Sequence, residues 1–254
     1  EPGQIALSAA NQTLRERVAL GRTERIQYRG DDGLELEAFV LYPPDHKKSR
    51  RSPTVLEIHG GPHGMHPATF NIMRTQALAG AGFVVLLPNP RGSTSYGETF
   101  ERACVGDWGG GDYRDLMAGV DALVEAKVAN PDQLYLSGYS YGGYMSSWTV
   151  GQTNRFRAAA IGAPITDLMS GLGTDDIPRY NIESMGGPPE TAFELYHERS
   201  PLTHVRHVRT PVLLLHWEGD LRCPIGQSEQ FFAGLKLLGR KVELVRYPGG
   251  SHGV

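Results

Sequence analysis

The sequence predicts an α/β protein with a mostly parallel sheet and helices on both faces. Three observations predict it. Short apolar runs recur along the chain, segments of helical length separate them, and a glycine-flanked serine stands between one such run and the next helix.

The apolar runs are TVLEI (54–58), FVVLL (83–87), LYL (134–136), RAAAI (157–161), VLLL (212–215) and VELVRY (242–247). Continuous short runs of this kind suit strands buried on both faces. Between them lie predicted helices at 67–81, 112–129, 141–151 and 225–239. LELEAFVL, from Leu34 to Leu41, alternates instead and reads as an antiparallel edge strand with one wet face. The charged, proline-flanked PDHKKSRRSP at 44–53 reads as a solvated loop. Residues 163–210 are rich in Gly, Pro and charge, and are expected to hold short helices that cap or line a site. Residues 1–29 read as a connecting arm and 30–254 as one domain.

Composition narrows the class. The 254 residues are 40% hydrophobic and 21% charged, with a formal net charge of -3. That balance is globular and gives no electrostatic case for nucleic acid or an anionic membrane surface. No apolar run approaches the ~18–20 residues of a membrane span. Cys104 and Cys223 are the two cysteines, too few for a disulfide framework, and read as free thiols, with a single bridge between them left open. The first thirty residues lack a leader's apolar core. That and the sparse cysteines make the cytoplasm the expected compartment.

Gly138-Tyr139-Ser140-Tyr141-Gly142 matches G-x-S-x-G, directly after LYL and directly before a helix-like YMSSWTVG. The motif requires that context. A strand turning sharply into a helix exposes the serine hydroxyl, and glycines two before and two after leave room where a Cβ would collide. The helix N-terminus then aims free N–H groups at a developing oxyanion. Ser140 is therefore the candidate nucleophile of an α/β-hydrolase fold. It needs a base and an orienting acid, which in this fold follow in the order Asp/Glu, then His. Asp220 follows the strand VLLLH, with Glu218 as the alternative acid, and His252 follows the strand VELVRY. Strand carboxyl ends are where parallel sheets place their sites.

His59-Gly60-Gly61-Pro62-His63, just after TVLEI, resembles a loop that supplies an oxyanion-hole N–H. The backbone N–H groups of Gly61 and Tyr141 are the candidate pair. His59, His63 and His66 invite a metal reading, but Gly-Gly-Pro breaks any helix that would align them, so no metal is expected. Tyr144 and Trp148, near the nucleophile, are candidates for a substrate pocket, with core packing as the alternative.

With these residues in place, the chain resembles the catalytic domain of the prolyl oligopeptidase family of serine peptidases, in its acylaminoacyl peptidase and dipeptidyl peptidase branch. The resemblance rests on HGGPH (59–63), NPRGSTSYG (89–97), GDWGGGDYRD (106–115), GYSYGGYM (138–145), Ser200-Pro201, GDLRCPIGQSEQF (219–231) and YPGGSHG (247–253). It implies an eight-stranded sheet, the triad Ser140, Asp220 and His252, and hydrolysis of short peptide or acyl-amino acid substrates without a cofactor. The arm before residue 30 resembles the family's segment leaving a β-propeller. That domain is absent here, and the chain stops two residues after His252, where the family has a long helix, so the expectation is a fragment of a longer polypeptide. A homo-oligomer is possible under this resemblance. The alternatives are a carboxylesterase and a catalytically inactive binding module on the same fold.

Overall fold

The computed structural model describes residues 10–67 and 74–253. Among them eight strands form one sheet, in the order β1-β2-β4-β3-β5-β6-β7-β8. The strands are β1 (Arg22–Arg29), β2 (Glu35–Tyr42), β3 (Ser52–Ile58), β4 (Val84–Asn89), β5 (Ala129–Tyr139), β6 (Phe156–Gly162), β7 (Val212–Trp217) and β8 (Val242–Tyr247). β1 and β2 pair antiparallel, as do β2 and β4, and the pairs from β4 through β8 are parallel. This is the α/β-hydrolase architecture that the sequence predicts.

The helices are α1 (Gln12–Arg17), α2 (Thr75–Gly80), α3 (Glu98–Arg102), α4 (Gly111–Glu125), α5 (Tyr141–Gln152), α6 (Leu168–Leu172), α7 (Pro178–Ser184), α8 (Pro189–Glu198) and α9 (Gly226–Leu237). The long segment between β6 and β7 holds α6, α7, α8 and a 3₁₀ turn at Pro201–His207, matching the expectation of short helices there. Part of the helix expected over 67–81 lies outside the described residues. No helix among the described residues is long and apolar enough to cross a membrane.

Two expectations need correction. The arm assigned to residues 1–29 includes a strand of the sheet. RTERIQYR pairs along its whole length with β2, from Arg22 opposite Tyr42 to Arg29 opposite Glu35. It escaped notice because an edge strand held by main-chain bonds needs little apolar surface, and here only Tyr28 is buried. With β1 on the outside, β2 is not an edge strand, and neither of its faces is wet. Leu36, Ala38, Val40 and Tyr42 join the main core, while Phe39 and Leu41 pack with Ala79, Val85 and Leu87 on the opposite face.

α5 lies in the main core and is buried from Tyr141 through Gly151. An all-round buried helix explains why the sequence there carries almost no polar face. Cys104 and Cys223 are separate, buried thiols.

Candidate active site

Ser140 forms the junction between β5 and α5. Its φ of 63° and ψ of -123° lie in a region that costs a non-glycine residue ~1–3 kcal/mol. Hydrogen bonds on both sides hold it there. The Ser140 N–H donates to the Gly162 carbonyl at 3.0 Å, and its carbonyl accepts the Tyr144 N–H at 2.8 Å. The flanking glycines are sterically required. A Cβ at Gly138 would lie 2.2 Å from the Gly142 carbonyl oxygen, and one at Gly142 would lie 2.2 Å from that of Ile58.

The fold brings Ser140, His252 and Asp220 together. His252 Nε2 lies 2.8 Å from Ser140 Oγ, and His252 Nδ1 lies 2.7 Å from Asp220 Oδ2. A carboxylate only accepts, so Nδ1 carries the proton and Nε2 is free to accept from the serine hydroxyl. Asp220 Oδ1 accepts the backbone N–H groups of Arg222 and Cys223, each at 2.9 Å. Burial alone would raise the Asp220 pKa. Hydrogen bonds from His216, His252 and the Cys223 N–H, with the charge of His252, outweigh it and hold the carboxyl well below its usual range. Glu218 stands apart, its carboxylate 2.8 Å from Arg246 Nε. The loop carrying His252 is fastened to β5, where the Tyr139 hydroxyl donates to the His252 carbonyl at 2.9 Å.

The His59–His63 loop runs beside Ser140: a Cβ at Gly60 would lie 3.5 Å from Ser140 Cβ. The three histidines here are held by main chain. His59 Nδ1 donates to the Gly60 carbonyl, His63 Nδ1 to that of Gly92 and His66 Nε2 to that of Glu57, at 2.8, 3.0 and 2.8 Å. Burial pushes the His59 pKa down and that of His66 to about 3.

A cavity of about 310 Å³ opens at Ser140. Gly61 and Tyr141 line it, and Trp108, Ile165, Ile177 and Tyr180 form its apolar walls. Tyr144 and Trp148, the sequence-based pocket candidates, are not among its lining residues. Tyr144 is fully buried, with its hydroxyl donating to the Arg199 carbonyl. Trp148 is buried against His204 and Arg199. Both point from α5 into the core.

These features set a strained serine at a strand–helix turn against a carboxylate that follows β7 and a histidine that follows β8, with an apolar cavity beside it. Residues 68–254 match the model of the prolyl oligopeptidase family. The chain belongs to this family. The uncharacterized peptidase YuxL of Bacillus subtilis (strain 168) is 39% identical over 248 residues, 97% of this chain and 38% of its own length. An acylamino-acid-releasing enzyme of Arabidopsis thaliana is 33% identical over 228 residues, 85% of this chain and 30% of its own. Among solved structures, an acylaminoacyl peptidase in complex with Z-Gly-Gly-Phe-chloromethyl ketone superposes with a TM-score of 0.92 at 29% identity. The match covers 100% of this chain and 41% of that one. A puromycin-hydrolyzing peptidase of Mycobacterium tuberculosis gives 0.87 at 30% identity, over 92% of this chain and 36% of that one. The chain thus spans well under half the length of these relatives.

Two motifs of this prolyl oligopeptidase family chain, read from sequence without a role, are joined by an ion pair. Arg91 of NPRGSTSYG grips Asp115 of GDWGGGDYRD through Nε at 2.8 Å and its terminal nitrogen at 2.7 Å. Asp112, in the same motif, accepts the hydroxyl of Tyr141. Trp108 and Tyr180 were missed as cavity residues because nothing in their local sequence marks the wall they form with distant segments.

Proposed function

We propose that this chain is the hydrolytic unit of a serine peptidase that cleaves peptide or acyl-amino acid bonds of short peptides through an acyl-enzyme. The observation that carries this reading is the continuous hydrogen-bond chain from Ser140 Oγ through His252 to Asp220, at 2.8 and 2.7 Å. Ser140 attacks the substrate carbonyl while His252 Nε2 takes the hydroxyl proton and later returns it to the leaving amine. Asp220 fixes the imidazole tautomer and stabilises the imidazolium. The N–H groups of Tyr141 and Gly61 receive the negative charge that develops on the carbonyl oxygen, and losing one such donor typically costs ~3 kcal/mol. Water then releases the acyl group by the same steps in reverse roles.

The cavity supports an apolar residue on the acyl side of the scissile bond. Its volume of about 310 Å³ and its walls of Trp108, Ile165, Ile177 and Tyr180 suit a large aliphatic or aromatic side chain. The relatives named acylamino-acid-releasing enzymes and acylaminoacyl peptidases support the same substrate class. The segment before β1 leads, in this reading, from a β-propeller outside this chain. A cytoplasmic location accords with two unbridged cysteines.

Turnover of p-nitrophenyl esters, acetyl-aminoacyl anilides and dipeptide anilides tests the proposal. Cleavage of the anilides, preferring Phe or Leu over Gly on the acyl side, is the expected result. Activity confined to esters would assign the site to a carboxylesterase instead, and loss of neither activity in Ser140→Ala would remove Ser140 from the mechanism.

A further inference from the structure

A second histidine lies against Asp220. His216, on β7 four residues before it, has a fully buried side chain. Its Nε2 is 2.7 Å from the Cys223 carbonyl and 3.5 Å from Asp220 Oδ2, the same oxygen that holds His252. A carbonyl and a carboxylate only accept, so Nε2 carries a hydrogen and leans between the two. On the other side of the ring, Nδ1 lies 2.7 Å from Ser228 Oγ on α9.

We infer that His216 is a positioning residue for Asp220, holding the acid loop so that Oδ2 faces His252. This inference rests on the triad reading above. The physical case starts from Asp220, which sits on a short loop after β7 rather than on a regular element. The loop closes on itself through the N–H groups of Arg222 and Cys223 to Oδ1, which fixes one carboxylate oxygen. Those bonds put no donor on Oδ2, whose neighbours are His252 Nδ1 at 2.7 Å and His216 Nε2 at 3.5 Å. The Nε2–H of His216 supplies the missing restraint from the rigid side of the sheet. It ties down the Cys223 carbonyl, the far end of the loop, at 2.7 Å and lies 3.5 Å from Oδ2. The Ser228 contact fixes the ring plane, so the restraint is transmitted from both β7 and α9. A buried carboxylate held by donors on every side keeps its charge and its direction. The direction matters because a displacement of ~1 Å in a supporting group can cost about a hundredfold in rate.

Two polar substitutions separate this role from simple core filling. In His216→Gln the side-chain amide reaches the place of Nε2 and can still donate to Cys223 and Asp220. In His216→Asn it reaches only the place of Nδ1, keeping the Ser228 contact and losing the other. Because the Asn variant also leaves the Cys223 carbonyl unpaired, melting temperatures are measured beside the rates: a merely structural role lowers stability and leaves kcat of the folded variant near wild type. The measurements are fluorophosphonate labelling of Ser140, and kcat and KM for a p-nitrophenyl ester. The expected result is His216→Gln within a few-fold of wild type. The Asn variant is expected to fall about ten- to a hundredfold in kcat and labelling rate, with KM unchanged. Equal behaviour of the two variants, or an effect confined to KM, overturns the role of His216 while leaving the triad intact. Failure of the wild-type protein to label at Ser140 would instead overturn the hydrolase reading beneath it. If the Asn variant does not fold, Ser228→Ala replaces it: released ring rotation is expected to slow labelling several-fold, and wild-type labelling there overturns the proposal.

Discussion

The carboxylate of Asp112 accepts the hydroxyl of Tyr141, the residue that follows Ser140. It also accepts the backbone N–H of Tyr113 at 2.7 Å and that of Gly109 at 3.2 Å. Tyr141 lines the cavity and its N–H is a proposed oxyanion donor, and this buried acid holds its hydroxyl.

This anchor has a pH signature. Burial raises the Asp112 pKa from its ordinary value to about 6, against the opposing hydrogen bonds from Tyr141, Tyr113 and Gly109. The native state therefore holds the proton more tightly than the unfolded chain. The stability it contributes is fully present below about pH 4 and is lost as pH rises through about 6. A shift of that size corresponds to roughly 3 kcal/mol. Urea denaturation of wild type and Asp112→Asn between pH 4 and 7 checks it. The advantage of wild type over the variant should shrink by about that amount across the window. A constant difference would contradict the assignment.

Asp220→Asn should keep the fold and lose the activity. An asparagine oxygen can still accept the Arg222 and Cys223 N–H groups, but its NH₂ then faces His252 and favours the wrong tautomer. The expected loss in kcat is about four orders of magnitude with a melting temperature near wild type. Glu218→Gln should leave kcat within about twofold, because Glu218 pairs with Arg246 at the surface.

Gly142→Ala should damage the turn itself. The new Cβ would meet the carbonyl oxygens of Ile58 at 2.2 Å and His59 at 2.9 Å, both backbone atoms that cannot rotate away. We expect a destabilisation of about 3 kcal/mol or more and loss of Ser140 labelling. Gly226→Ala is the control, since a Cβ there meets nothing within 4 Å. It should change stability by no more than about 0.5 kcal/mol.

What the sequence disclosed follows from where the constraints are local. The strand–turn–helix around Ser140 was legible because its G-x-S-x-G pattern is contiguous and Gly138 answers a contact four residues away, at Gly142, although Gly142 itself answers the distant carbonyls of Ile58 and His59. Asp220 and His252 were legible as candidates because each follows an apolar strand in the required order. β1 was not, since RTERIQYR is held by its register against β2 and buries only Tyr28. The cavity walls were not legible either. Trp108, Ile165, Ile177 and Tyr180 meet only through the fold, whereas Tyr144 and Trp148 lie close in sequence to Ser140 but on an all-round buried helix, where proximity says nothing about direction.

The most direct test of the account is intact-mass analysis of the protein after reaction with a fluorophosphonate, with the adduct mapped by peptide sequencing. The account predicts a single adduct on Ser140 that disappears in Ser140→Ala and forms far more slowly in Asp220→Asn. Folded protein that takes no adduct, or an adduct that persists in Ser140→Ala, would contradict it.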